Sequence, residues 1–123
     1  MQHIIIAEDE DDVREFLTRA IQRAAPAAKI SAATDGSEAL AIVLERGCDL
    51  IISDQRMPYM TGVELLNAVR EHGYTFPFII ISADVTVEQM LQDAGVSAFF
   101  YKPLSMRQIR EIVEAWLPPQ NAF

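Results

Sequence analysis

The sequence predicts an α/β domain built on a doubly wound parallel sheet. Short apolar runs alternate with amphipathic segments along the whole chain, which is the pattern of a parallel α/β sheet. The apolar runs are nearly continuous, as in strands that are covered on both faces. At 123 residues the chain has the size of one compact domain with its own hydrophobic core. We therefore expect a single domain.

Five short apolar runs supply the predicted strands. Each run has the length of an ordinary strand. In chain order, they are His3 to Ala7, Ala28 to Ala33, Leu50 to Ser53, Phe78 to Ser82 and Ala98 to Tyr101. Connections between parallel strands are right-handed, so the strands form an open sheet with helices on both faces.

Apolar residues at helical spacing mark the segments between the strands. The clearest stripes are Val13, Phe16, Leu17, Ala20, Ile21 and Ala24, then Val87, Met90, Leu91 and Ala94, and finally Ile109, Ile112, Val113 and Trp116. Capping spacings predict four helix starts, which are Asp35 with Glu38, Thr61 with Glu64, Thr86 with Gln89, and Ser105 with Gln108. Counting one helix between each pair of strands and one after the last, we expect five helices that pack on the sheet.

Composition excludes several classes of protein. With 18 acidic and ten basic residues the formal charge is −8, which repels nucleic acid and anionic membranes, and the basic residues are not clustered. The single cysteine, Cys48, cannot form an intramolecular disulfide, which fits a reducing compartment. No apolar run approaches the length of a membrane span, and the N-terminal segment turns acidic too early for a signal peptide. We expect a cytoplasmic protein.

Polar residues gather where the predicted strands end. They are Glu8, Asp9 and Glu10 after the first strand, Asp54 after the third, Ser82 at the end of the fourth and Lys102 after the fifth. Open parallel sheets bind ligands at this edge. Clustered carboxylates raise one another's pKa unless a cation lies among them, and their hard oxygens suit Mg²⁺. Lys102 and Ser82 have the donors that bind phosphoryl oxygens. The pattern predicts a magnesium site beside a phosphoryl site.

These residues, in this order, resemble the receiver domain of response regulators in two-component signalling. The resemblance covers essentially the whole chain and rests on Glu8-Asp9-Glu10, SDQRMPYMTGVELL around Asp54, Ser82-Ala83 and Lys102-Pro103. It implies a flavodoxin-like fold of three αβα layers with strand order 2-1-3-4-5 and five helices. The prolines of the C-terminal LPPQNAF cannot extend a helix, so we expect a receiver domain at 1–118 and a tail or linker start at 119–123.

The resemblance implies a phosphoacceptor and a metal site. Asp54 would take a phosphoryl group from a sensor histidine kinase, a phosphotransfer protein or a small donor such as acetyl phosphate. Asp9, Asp54 and the backbone carbonyl of Arg56 would bind Mg²⁺, with Glu8 acting through water. The expected activity is self-catalysed phosphotransfer and dephosphorylation in a signalling switch, which is not a conventional enzyme.

The resemblance also implies a switch. Lys102, aimed inward by a cis peptide before Pro103, would contact the phosphoryl oxygens. Ser82 would move to hydrogen-bond them, and Phe99, at the aromatic switch position, would exchange between outward and inward rotamers. The surface of helix four, strand five and helix five would change as a result. A downstream protein, a fused output domain or a second copy in a phosphorylation-dependent homodimer would read that surface.

The sequence departs from the commonest family pattern at several positions. Glu8 replaces an aspartate, and its longer side chain predicts altered magnesium affinity. Phe99 replaces a frequent tyrosine, so its inward state rests on burial without a hydroxyl. The resemblance implies that the positions of Arg56, Ala83 and Asp84 influence how water reaches a phosphoryl group on Asp54. The opposite charges of Arg56 and Asp84 allow an ion pair over the site.

Two other function classes stay open. A magnesium-dependent phosphatase with an aspartyl nucleophile also uses strand-end carboxylates and a lysine, but Arg56 stands where such an enzyme has its second acid. A receiver-like interaction module that no longer uses phosphate is the other class, and the intact set Asp9, Asp54, Ser82 and Lys102 argues against it. The sequence names neither the kinase nor the output, and both a stand-alone regulator and the front of a longer protein stay open.

Overall fold

The computed structural model describes residues 2–118, so the predicted tail at 119–123 lies outside the described residues. It confirms a five-stranded parallel sheet in the order β2-β1-β3-β4-β5. The strands are β1 (His3–Ala7), β2 (Lys29–Ala33), β3 (Leu50–Asp54), β4 (Phe78–Ser82) and β5 (Ala98–Tyr101). Two bounds differ by one residue from the prediction: Ala28 precedes β2, and Asp54 belongs to β3.

Five α-helices connect the strands, as the sequence predicts. They are α1 (Asp11–Ala24), α2 (Gly36–Arg46), α3 (Gly62–Glu71), α4 (Glu88–Asp93) and α5 (Met106–Trp116). Three of the predicted helix starts are confirmed. The Asp35 side chain accepts a hydrogen bond from the backbone nitrogen of Glu38 at 2.9 Å, and Thr61 and Ser105 each form a reciprocal capping box.

The fourth predicted helix start, at Thr86, is wrong. The Asp84 carboxylate accepts hydrogen bonds from the backbone nitrogen of Thr86 at 2.8 Å and from its hydroxyl at 2.6 Å. Asp84 therefore caps a short 3-10 turn at Val85–Val87, and α4 begins only at Glu88. With six residues and one buried side chain, α4 buries less than any other α-helix in the described chain.

The core lies on both faces of the sheet. Ile4 and Ile6 of β1 face a cluster shared with α1 and α5, whereas Ile5 faces a cluster shared with α2 and α3. Strands β1, β3 and β4 are buried throughout, and the edge strands β2 and β5 are partly exposed. Phe16 and Met90, predicted on apolar stripes, are 40% and 43% exposed, so they lie at the solvent edges of their stripes.

The strand register brings the polar strand ends to one edge of the sheet. Ala7 pairs with Ser53, and Ser82 pairs with Tyr101, so the residues that follow β1, β3, β4 and β5 lie side by side. The start of α3 packs closely on this edge because residue 62 is glycine. A Cβ atom there would lie 2.7 Å from the Asp54 carbonyl oxygen. Among residues 2–118, no helix is long and apolar enough to cross a membrane.

Candidate functional site

Three carboxylates meet at the carboxyl edge of the sheet. One oxygen of Glu8, one of Asp9 and one of Asp54 all lie within 4.8 Å of one another. Glu8 is fully buried and Asp54 is 5% exposed, whereas Asp9 faces solvent. Hard oxygen ligands with one side open to water are what Mg²⁺ prefers, because the ion keeps several of its waters. The donor set fits the predicted magnesium site.

One ammonium group is shared by the two buried acids. Lys102 Nζ lies 2.8 Å from Glu8 Oε1 and 3.1 Å from Asp54 Oδ2, and the lysine side chain is 16% exposed. The other Glu8 oxygen accepts a hydrogen bond from the backbone nitrogen of Glu10 at 3.1 Å. The peptide before Pro103 is cis, as the resemblance implies. Counting Asp9, the three acids exceed the one lysine, and a divalent cation would offset the remaining negative charge.

Burial opposes ionisation of both inner acids. Desolvation raises the pKa of Glu8 from 4.5 to about 6, although Lys102 and the backbone of Glu10 lower it. Desolvation likewise raises the pKa of Asp54, against the lowering effect of Lys102. For Lys102 desolvation alone would lower the pKa, but the two carboxylates raise it overall. The two carboxylates therefore keep Lys102 in its charged form, although burial makes the ionised form of each carboxyl group less stable.

Asp54 is held by the segment that follows it. Its Oδ1 accepts a hydrogen bond from the backbone nitrogen of Gln55 at 2.8 Å, which leaves Oδ2 facing Lys102. The Gln55 side chain is buried, and its Oε1 accepts a hydrogen bond from the Val63 backbone nitrogen at 3.0 Å. Gln55 thus ties the end of β3 to the start of α3. The sequence prediction missed this residue, for which a polar side chain beside the predicted acid was the only signal.

The rim of the site is formed by the segment after β4. The Ser82 hydroxyl accepts a hydrogen bond from the backbone nitrogen of Asp84 at 3.0 Å, so it is engaged by its own loop. Arg56 Nη2 lies 2.8 Å from Asp84 Oδ2, which confirms the ion pair that the sequence allows. Hydrogen bonds from Thr86, and then the Arg56 guanidinium, lower the pKa of Asp84. The Arg56–Asp84 ion pair therefore lies at the same cavity as Asp9 and Asp54.

Most of the predicted site residues line one open cavity of about 590 Å³. Its lining consists of Asp9, Glu10, Asp54, Arg56, Ser82, Ala83, Asp84 and Lys102. Three predicted site residues, Glu8, Phe99 and Pro103, are absent from the lining. Glu8 is fully buried beside Lys102, whereas Phe99 is half-buried and packs on the core cluster that includes Leu91 of α4. The structure thus separates a charged site from an aromatic position on β5.

Comparison with known proteins points to one family. The sequence model of the response regulator receiver domain matches residues 4–114. The chain is 31% identical to the regulatory protein AtoC of Escherichia coli, over 98% of this chain and 26% of AtoC. It is 29% identical to the chemotaxis protein CheY of Pseudomonas aeruginosa, over 90% of this chain and 92% of CheY. The response regulator TrrA of Thermotoga maritima, solved with Mg²⁺ and BeF, has a TM-score of 0.83 at 25% identity, over 94% of this chain and 98% of TrrA.

Proposed function

We propose, because the chain belongs to the response regulator receiver domain family, that it is a phosphorylation-dependent switch. A sensor histidine kinase or a phosphotransfer protein would phosphorylate Asp54 in the presence of Mg²⁺. The observation that carries this proposal is the buried Asp54 carboxylate, 3.1 Å from the Lys102 ammonium and within 4.8 Å of two further carboxylates. Asp54 would be the nucleophile, Lys102 the cation for phosphoryl oxygens and the carboxylates the hard metal ligands. In support, Asp9, Asp54 and Lys102 line one cavity, with Glu8 buried beside Lys102.

The chemistry is transfer of a phosphoryl group between two nucleophiles. A carboxylate oxygen of Asp54 attacks phosphorus, the bond from phosphorus to the donor imidazole nitrogen breaks, and that nitrogen keeps the electron pair. Lys102 would bind a phosphoryl oxygen, and the Gln55 backbone nitrogen, which donates a hydrogen bond to Asp54 Oδ1 at 2.8 Å, would hold the carboxylate in position. Bound Mg²⁺ would offset charge on the phosphoryl oxygens. Asp9, Asp54 and the Arg56 carbonyl would hold the ion, with Glu8 acting through water.

Switching would begin at Ser82. Its hydroxyl would leave the backbone of Asp84 and donate a hydrogen bond to the phosphoryl group. The following segment would move with it, and Phe99 would turn inward, which changes the surface of α4, β5 and α5. A downstream protein, a fused output domain or a second copy of the chain would read this surface. A cytoplasmic location, where phosphohistidine donors are available, is part of the same proposal.

Intact-protein mass spectrometry tests the proposal. Incubation with acetyl phosphate and Mg²⁺ should give a single labile phosphoryl adduct, and chelation of the metal with EDTA should suppress its formation because the carboxylate cluster then repels the donor. Amide NMR with beryllofluoride, a phosphoryl mimic, provides a second readout. If no adduct forms and the amide NMR spectrum does not change on adding beryllofluoride, the chain is a receiver-like interaction module that does not use phosphate.

The bridge between Arg56 and Asp84 is expected to slow the loss of the phosphoryl group. Arg56→Ala or Asp84→Ala would open the site to water and should speed adduct decay by about two- to fivefold, a modest effect of the size expected for one exposed ion pair. Arg56→Lys retains the charge and should decay at close to the parental rate. Decay would be followed by intact mass after the donor is removed. Equal decay rates in all of these proteins would rule out the bridge as a barrier.

A further inference from the structure

A side-chain hydrogen bond joins β5 to α4. The Tyr101 hydroxyl donates to Glu88 Oε2 at 2.9 Å, and Glu88 is the first residue of α4. It is the one side-chain hydrogen bond between these two elements in residues 2–118. The hydrogen bond to Glu88 raises the pKa of Tyr101, as expected for a phenol that keeps its proton to donate it.

The same tyrosine lies against the aromatic position of the proposed switch. Phe99 and Tyr101 are two residues apart on β5, so their side chains share one face of the strand. Their ring centroids are 5.9 Å apart at an interplanar angle of 78°, an edge-to-face contact. Phe99 has no hydroxyl, and the adjacent Tyr101 supplies one that reaches α4.

The first turn of α4 is exposed to solvent at Glu88, Gln89 and Met90. The helix has six residues, of which only Leu91 is buried, and the 3-10 turn before it has no buried residue. Residues 83–87 lead directly from Ser82 into Glu88. Movement of Ser82 away from Asp84 would therefore displace the segment that the Tyr101 hydrogen bond holds.

We propose that Tyr101 is a positioning residue that, through Glu88, holds α4 against β5 and so opposes the switched arrangement. The inference rests on the proposed function, since it needs a second arrangement of the Ser82 segment. While the hydroxyl of Ser82 is engaged by Asp84, the Tyr101 hydrogen bond is intact. Loss of that bond raises the population of the switched arrangement, and ligands that bind this arrangement then bind more tightly.

Tyr101→Phe tests the inference because it removes the hydroxyl and keeps the ring. At fixed Mg²⁺, the beryllofluoride concentration that half-saturates the amide NMR response should fall by about two- to tenfold, as expected when one hydrogen bond is lost from the unswitched arrangement only. The rate constant for phosphorylation by acetyl phosphate should rise by a similar factor. Fluorine NMR on a labelled Phe99 would report the same shift at the switch position.

Two comparisons separate positioning from a general structural effect. Glu88→Ala should produce the same shift, and the double variant should add nothing further, because both changes remove one interaction. Tyr59→Phe is the matched control: Tyr59 is 88% exposed, and its hydroxyl has no hydrogen-bond partner among residues 2–118. Tyr59→Phe should be half-saturated at the same beryllofluoride concentration as the parent.

The outcomes distinguish this inference from the function on which it rests. A parent protein that does not respond to beryllofluoride overturns both. A parent that responds, with Tyr101→Phe titrating identically, overturns the role of Tyr101 alone. Effects of Tyr101→Phe and Glu88→Ala that add in the double variant overturn it as well, because additive effects mean that the two residues act independently.

Discussion

Asp54→Asn is expected to abolish the phosphoryl adduct that the parent chain forms with acetyl phosphate and Mg²⁺. An amide is not a nucleophile under these conditions, and the variant would also lose one of the carboxylates proposed to bind Mg²⁺. The substitution is close in shape, because an asparagine oxygen can still accept the Gln55 backbone hydrogen bond that Asp54 accepts at 2.8 Å. The loss would therefore report chemistry rather than a collapsed site.

The same variant gives a control for folding. Asp54 and Glu8 are both buried and share Lys102, and the charge of Asp54 raises the pKa of Glu8. Without the Asp54 charge, Lys102 forms an ion pair with Glu8 only, and the repulsion between the two carboxylates is removed. Asp54→Asn should therefore unfold, in EDTA, at a urea concentration no lower than that of the parent. Urea unfolding measured beside intact mass checks this.

Asp9→Asn separates the acceptor from the metal site. Asp9 offers an oxygen to the carboxylate cluster from its solvent-exposed side, so its loss should slow adduct formation by weakening Mg²⁺ binding, while Asp54 remains the modified residue. Peptide mapping of the adduct identifies the acceptor. An adduct that forms at parental levels in Asp54→Asn would remove Asp54 from its proposed role.

The positions of the acids could be predicted because they follow from the chain's hydrophobic pattern. Nearly continuous apolar runs fix where β1 and β3 end, and a parallel sheet places those ends at one edge. Asp9 and Asp54 are therefore neighbours whatever the details of side-chain packing. The same reasoning placed Ser82 and Lys102 at that edge, and the structure has them in one cavity with the acids.

The pairing of side chains could not be predicted, because strand ends do not fix rotamers. Lys102 and Glu8 were both predicted at this edge, but the ion pair between Lys102 Nζ and Glu8 Oε1 at 2.8 Å could not be predicted from the sequence. The predicted helix start at Thr86 was wrong for a similar reason. Asp84 and Thr86 both have side chains that can cap a helix, and in the structure the Asp84 carboxylate caps the 3-10 turn. The Tyr101 hydrogen bond depends on where α4 then begins.

Lys102→Met is expected to destabilise the protein strongly in the absence of metal. It leaves Glu8, which is fully buried, and Asp54, which is 5% exposed, without the cation that they share. Breaking a buried ion pair by removing one partner typically costs about 3 kcal/mol or more, so the free energy of unfolding in EDTA at pH 7.5 should fall by about that amount. Millimolar Mg²⁺ should restore part of it.

The loss of stability in Lys102→Met should be larger at neutral pH than at acidic pH. The folded-state pKa of Glu8 is raised from 4.5 to about 6, so its contribution to stability is fully present below pH 4.5 and is lost as the pH rises through about 6. Without Lys102 the pKa of both buried acids rises further, so the pH range over which this stability is lost moves to higher pH. The folded variant then binds more protons than the unfolded chain at neutral pH, and its stability rises as the pH falls.

Urea unfolding of Lys102→Met and the parent at pH 7.5 and pH 5, in EDTA, measures this effect. The difference in the free energy of unfolding between Lys102→Met and the parent should be large at pH 7.5. It should shrink at pH 5, because protonated carboxyl groups carry no charge for the ammonium to offset. The only other lysine, Lys29, is exposed and forms no ion pair among residues 2–118, so Lys29→Met should stay within about 0.5 kcal/mol of the parent. Equal unfolding midpoints for the two lysine variants at pH 7.5 would mean that Lys102 does not hold the buried acids in place, and its role would then be confined to the phosphoryl group.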